Sequence, residues 1–279
     1  MEPIERTRVV ARDGEREIER EDALAVEEPL EIRIRPAGLG AARSFVTTMR
    51  TPGNDEELVA GLLFAEGVVA SRADLLGLER PIDPRVEPEL RANVMIATLT
   101  PDAQARGEKL ERGTVMGSAC GVCGKTSIEN VIPSEAPPLV SDLRIRPDVL
   151  FALPGRLREG QSVFSRTGGL HAAGLFDAEG RLQALREDIG RHNATDKLVG
   201  RFLLEDRLPL TDSVLMVSGR AGFEIVQKAY SAGIPVVASV SAPSSLAVEL
   251  ADVAGLTLVG FLRDRRYNVY AHPARILTA

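Results

Sequence analysis

At 279 residues, 44% hydrophobic and 27% charged, the chain is long enough for one large domain or two modest ones around a sizeable core. A formal net charge of −6, no Trp and only 4% aromatic residues argue against a nucleic-acid binder, which needs a basic face or stacking rings. The N-terminal residues are charged throughout and show no apolar h-region, so no export signal is expected. No apolar run approaches the length of a membrane span, and a cytoplasmic protein is expected.

In chain order, "RTRVVARDGEREIE" predicts a hairpin turning at Asp13-Gly14, and "EPLEIRIRP" and "RSFVTTMRT" predict two further strands. Asn54 and Asp55 offer N-caps to "DEELVAGLLFAEGVV", where Leu58, Val59, Leu62 and Leu63 recur at helical spacing. "NVMIATLT" is a strand that closes this part near Thr100. The prolines of "VIPSEAPPLVSD" form the most linker-like composition in the chain. They set an expected boundary between a small α+β domain over residues 1–140 and an α/β domain over residues 141–279.

The second part begins with helical "RPDVLFALPGRLRE" and a hairpin turning at Glu179-Gly180. Helix "NATDKLVGRFLLED" follows, with Asn193 as its expected cap. Then short apolar runs alternate with amphipathic helices: "SVLMVS", "GFEIVQKAYSAG", "PVVASVS", "SSLAVELADVAG", "TLVGFLR". That alternation predicts a parallel βαβαβ arrangement, whose ligands bind beyond the strand carboxyl ends. Those ends read Ser218-Gly219-Arg220, Ser241-Ala242-Pro243 and Phe261-Leu262-Arg263. Any one could be an ordinary turn; together they make a pocket plausible.

The only cysteines, Cys120 and Cys123, lie in "GSACGVCGKTSIE". Too few for a disulfide framework, they point to metal or sulfur chemistry. A zinc site needs about four ligands, and the candidate histidines, His171, His192 and His272, are widely spread. Gly124-Lys125-Thr126 fits the end of a phosphate loop, but Ala119 stands where its first glycine belongs. A nucleoside deaminase needs H-x-E before P-C-x-x-C; here the order is reversed and Ala173 stands in place of the glutamate. The order of elements does not suit a thioredoxin-like dithiol. The flanking Gly117, Gly121 and Gly124 suggest a pliant loop that brings a thiolate to other molecules, as a sulfur carrier requires; inert buried cysteines fit such a loop less well. Lys125 could favour the thiolate or be a solvated lysine.

The stretches "GSACGVCGKTSIE", "TGGLHAAGLF", "EDIGRHNATDKLVG", "SGRAGFEIVQKAYSAGIPVVASVSAPSSLAVELA" and "LTLVGFLRDRRYNVYAHPARI" together closely resemble the FdhD/NarQ formate dehydrogenase accessory proteins. The resemblance implies a homodimeric sulfurtransferase with a cytidine deaminase-like second domain. It would take persulfide sulfur from a cysteine desulfurase and pass it to the molybdenum (or tungsten) bis(molybdopterin guanine dinucleotide) cofactor of formate dehydrogenase. The cofactor is a bound substrate in this scheme, and no permanent cofactor or structural metal is implied. By the same resemblance Cys120 bears the persulfide and Cys123 is its partner. The segment Phe261, Leu262, Arg263, Asp264, Arg265 and Arg266 is implied to bind the cofactor, which suits a polyphosphate ligand met by arginine forks and backbone N–H groups. "EDIGRHNATDK" reads either as a solvated helix start or, with His171, as pocket lining. A reading of another class is a non-enzymatic chaperone that binds and delivers the cofactor without handling sulfur. A regulatory metal-binding protein is the third.

Overall fold

The computed structural model describes residues 2–38, 40–82, 87–111 and 137–278. Strands β1 (Ile4–Asp13) and β2 (Arg16–Ala25) form the expected hairpin, with Gly14 in the left-handed region at φ 62°. β3 (Glu28–Pro36) and β4 (Arg43–Arg50) follow, then helix α1 (Asp55–Ala65), β5 (Leu75–Glu79), the short α2 (Pro88–Ala92), β6 (Val94–Leu99) and α3 (Pro101–Glu111). β3 to β6 make a four-stranded sheet in the order β4-β3-β6-β5. Its apolar face, Leu30, Ile32, Ile34, Met95 and Leu99, packs on Leu58, Val59 and Leu63 of α1. Asn54 holds the cap position of α1 in a left-handed conformation without a side-chain cap bond. Asp55 turns instead to Arg50, which donates from Nε to its Oδ1 at 3.0 Å.

The second sheet begins beyond α4 (Pro147–Gly160) and α5 (Phe164–Thr167) with β7 (His171–Phe176) and β8 (Leu182–Asp188). Helix α6 (Arg191–Leu204), β9 (Val214–Val217), α7 (Phe223–Ser231), β10 (Val236–Ser239), α8 (Ser245–Val253), β11 (Thr257–Arg263) and β12 (Arg266–Ala271) complete it. The order is β12-β11-β10-β9-β7-β8. β9, β10 and β11 are parallel, as their alternation with helices predicts, while β7 and β12 run antiparallel to their neighbours. α6, α7 and α8 cover one face through Leu198, Phe202, Ile225, Val226 and Leu250; α4 covers the other through Leu150, Leu153 and Leu157.

The two sheets meet through α1 and α6. Gly61 and Gly200 face each other where the helices cross, and a methyl group on Gly200 would lie 2.7 Å from the Gly61 nitrogen. Leu203 of α6 belongs to the core of the first sheet. α6 therefore has little contact with water, and Asn193 through Gly200 are all buried.

Candidate functional site

The three strand ends are joined by backbone bonds. Phe261 N–H donates to the Ser241 carbonyl at 3.1 Å and Ser244 N–H to the Ala221 carbonyl at 3.2 Å, next to a parallel bridge between Ala221 and Pro243. β7 runs against β9, which brings its first residue, His171, to the same edge. Ser218 fixes that junction, for its hydroxyl accepts from Ala172 N–H at 2.9 Å. Desolvation, helped by the neighbouring Arg191 guanidinium, pushes the half-buried His171 below the ordinary imidazole range, so it is neutral at pH 7.

At the other side of the edge, β11 turns into β12. Register shifts interrupt that pairing between Gly260 and Arg263, and Phe261 and Asp264 both adopt φ 53°. A phenylalanine in the left-handed region is strained, and a bulge of this kind re-aims side chains. The exposed Arg263 and Arg266 pair across the hairpin and, with Phe261 and Asn268, line a cavity of about 230 Å³. Arg265 lies over the Phe151 ring, 5.6 Å from its centre, and Leu262 is fully buried beneath α4. Of the expected segment, Phe261, Arg263 and Arg266 thus line one cavity; Asp264 makes the turn, Arg265 faces α4, and only the backbone of Leu262 remains for a ligand. A second cavity of about 680 Å³ opens under α4 and α5, lined by His171, Ser218, Val240, Gln161, Arg158 and Phe164 among others.

"EDIGRHNATDK" is neither a solvated helix start nor simply pocket lining. Asp188, fully buried at the end of β8, accepts from Gly190 N–H at 2.8 Å and Thr51 N–H at 3.2 Å, and pairs with Lys197 Nζ at 2.7 Å. Lys197 also donates to the Thr51 carbonyl at 2.8 Å. Asn193 lies inside the first turn of α6, which starts at Arg191 after Gly190. It does not cap the helix; its amide donates to the Met49 carbonyl at 2.7 Å and to Asp188 at 3.1 Å. The motif thus ties the end of β4 to the second sheet. Further along, Asp196 pairs with Lys228 at 2.6 Å, and His192 Nδ1 meets Glu224 at 2.8 Å at the start of α7. Sequence reasoning missed Gln161, Arg158, Phe164 and Glu224; no motif contains the first three, and only their convergence in space marks them.

Cys120 and Cys123 lie outside the described residues, as does Lys125. Among the described residues no group of three or more His, Cys, Asp or Glu side chains is placed to hold a metal ion. His272 lies apart from His171: His171 lies where β9 ends, whereas His272 follows β12, whose Ala271 pairs with Leu258 near the start of β11. No helix among the described residues is long and apolar enough to cross a membrane.

A mixed sheet whose parallel strands end in polar and basic residues around two cavities defines an α/β protein with its candidate site at the strand carboxyl ends. The family model described as "FdhD/NarQ family" matches residues 25–277, and the chain belongs to that family. A Streptomyces coelicolor protein named "Sulfur carrier protein FdhD" is 49% identical, the match covering 92% of this chain and 90% of that protein. One of the same name from Mycobacterium tuberculosis is 49% identical over 93% of each chain. Another, from Thermoplasma acidophilum, is 44% identical over 93% of this chain and 89% of its own length. A solved structure of a candidate formate dehydrogenase accessory protein from Desulfotalea psychrophila superposes with a TM-score of 0.74 at 26% identity, covering 99% of this chain and 100% of that one.

Proposed function

We propose that this protein is a sulfur carrier in formate dehydrogenase maturation, moving persulfide sulfur from a cysteine desulfurase to the molybdenum bis(molybdopterin guanine dinucleotide) cofactor. The observation that supports it best is the joined edge of the second sheet, where Arg263 and Arg266 flank a cavity beside the ends of three parallel strands. A guanine dinucleotide carries a pyrophosphate, and guanidinium forks meet its oxygens with charge-assisted hydrogen bonds. The relatives named as sulfur carriers agree with this reading.

In the first step the Cys120 thiolate attacks the terminal sulfur of the desulfurase persulfide. The donor S–S bond breaks, the desulfurase cysteine leaves as a thiolate, and Cys120 becomes the persulfide. In the second step the terminal sulfur passes to the metal of the bound substrate and Cys120 returns as a thiolate. The metal supplies the two electrons that reduce the sulfur to sulfide. Cys123 acts on the stability and release of the persulfide. The protein works in the cytoplasm as a homodimer. Cys120→Ala tests the reading: it should bind the cofactor yet fail to activate formate dehydrogenase. Full activation by that variant would leave a cofactor-delivering chaperone as the function.

A further inference from the structure

The β11–β12 turn that carries Arg263 and Arg266 runs against its backbone preferences. Phe261 and Asp264 both sit at φ 53°, a region that residues with a side chain seldom adopt, and the ladder is interrupted between Gly260 and Arg263. Such a conformation persists only where its surroundings over-determine it. An interrupted ladder also sets register weakly, and a slip of one residue in β12 would exchange the residues on its two faces. β12 is an end strand of its sheet, so among the described residues no further strand holds it from outside.

Toward β10 the turn is held by the Phe261 N–H, which donates to the Ser241 carbonyl at 3.1 Å, and by the fully buried Leu262. On the α4 side the hold is aromatic. The Phe151 ring of α4 lies 5.4 Å from the Tyr267 ring, centre to centre, with the planes tilted by 42°. The Arg265 guanidinium lies 5.6 Å from the centre of the same Phe151 ring. Ring pairs and cation–ring pairs at these separations attract each other. Arg265 and Tyr267 alternate along the chain with Arg266 and Asn268, which line the cavity of about 230 Å³. A stack that keeps Tyr267 on α4 therefore keeps Arg266 and Asn268 on the cavity. Phe151 itself lines neither cavity. We propose that Phe151 is a positioning residue for the cofactor site: through Tyr267 and Arg265 it fixes the register in which Arg263 and Arg266 meet the ligand's phosphates. The inference rests on the cofactor reading above, and it gives Arg265 a place in the stack instead of a contact with the ligand.

Titration calorimetry of the full chain with guanosine diphosphate, beside hydrogen exchange without ligand, tests it. Phe151→Leu keeps the apolar character and removes the ring. It should weaken guanosine diphosphate binding about three- to tenfold, in proportion to the fraction of chains that leave the competent register. Phe151→Tyr keeps the ring and should bind as the parent does. Arg265→Ala should weaken binding about twofold in the parent and add nothing in Phe151→Leu, where the ring it leans on is gone. An equal loss from Arg265→Ala in both backgrounds would make Arg265 a direct phosphate ligand and overturn its place in the stack. Without ligand, the amides of Phe261 and β12 should exchange about threefold faster or more in Phe151→Leu, while those of β9 and β10 keep the parent's rates. Unchanged guanosine diphosphate affinity in Phe151→Leu, where the parent binds it, would overturn the proposal; a lowered melting midpoint alone would then mark Phe151 as ordinary packing. A parent that binds no guanosine diphosphate would remove the cofactor reading, and unchanged exchange of the hairpin amides in Phe151→Leu would remove the positioning role by itself.

Discussion

Replacing Gly200 by alanine sets helix propensity against helix contact. In an isolated helix the change is favourable by about 1 kcal/mol. In α6 the new methyl would run into the Glu57 carbonyl oxygen of α1, and it would lie 2.8 Å from the carbon of that carbonyl and 2.7 Å from the Gly61 nitrogen. These are backbone atoms, with no rotamer that could move aside, so the helices must separate. Overpacking of this kind costs roughly 1–3 kcal/mol and occasionally more. Here the upper end applies, and the net loss should be about 2 kcal/mol. In a chain of this size that lowers the thermal midpoint by roughly 4–8 °C. Gly155 is the internal control: it is exposed within α4, and nothing lies within 4 Å of a methyl group there. Gly155→Ala should therefore be neutral or stabilising by up to about 1 kcal/mol. Thermal and urea denaturation of the two variants beside the parent decide the matter. A Gly200→Ala protein as stable as the parent would refute the close crossing of α1 and α6.

Asp188→Ala leaves Lys197 charged, buried and without its carboxylate, and should cost about 3–5 kcal/mol by urea denaturation. Adding Lys197→Met should recover part of that loss, and a strictly additive pair would mean the two do not interact. His171 should titrate below its ordinary 6.5 in an NMR experiment, since burial disfavours its charged form. Its folded pKa is depressed, so it contributes no penalty above pH 6.5 and lowers stability as pH falls below that value; His171→Gln should flatten this part of the profile. A midpoint above 6.5 would contradict the site's geometry. Arg263→Ala should weaken guanosine diphosphate binding about tenfold or more, by loss of charge-assisted hydrogen bonds of roughly 1.5–3 kcal/mol. Arg263→Lys should restore only part, for want of a bidentate fork.

The parallel strands and their helices were legible because each apolar run is short, ends in a polar turn and alternates with an amphipathic helix. The edge at Ser218, Ser241 and Phe261 follows from that pattern alone. β12 gives a weak signal: Asp264, Arg265 and Arg266 mask the alternation of Tyr267, Val269 and Ala271, and Asp264 makes the turn. β5 is short and carries Gly77, and α3 is polar with Gly107 in it, so neither gives a strong periodic signal. Asn193 has the residue type of a cap, but Asp188 and the Met49 carbonyl take its amide. The charges of "EDIGRHNATDK" suggest a solvated helix start or a pocket lining because their partner, the Thr51 backbone, is more than a hundred residues away. Gln161 carried no sequence signal; a glutamine at a helix end looks solvated until its surroundings are seen.

The central claim is that Cys120 carries sulfur. Incubating the protein with a cysteine desulfurase and cysteine, then mapping the product by mass spectrometry, tests it most directly. The account predicts a gain of one sulfur on the peptide containing Cys120, absent from Cys120→Ala, labile to a thiol reductant and unchanged in Arg263→Ala. A protein that gains no sulfur on Cys120 under these conditions, while Cys120→Ala still activates formate dehydrogenase in full, would contradict it.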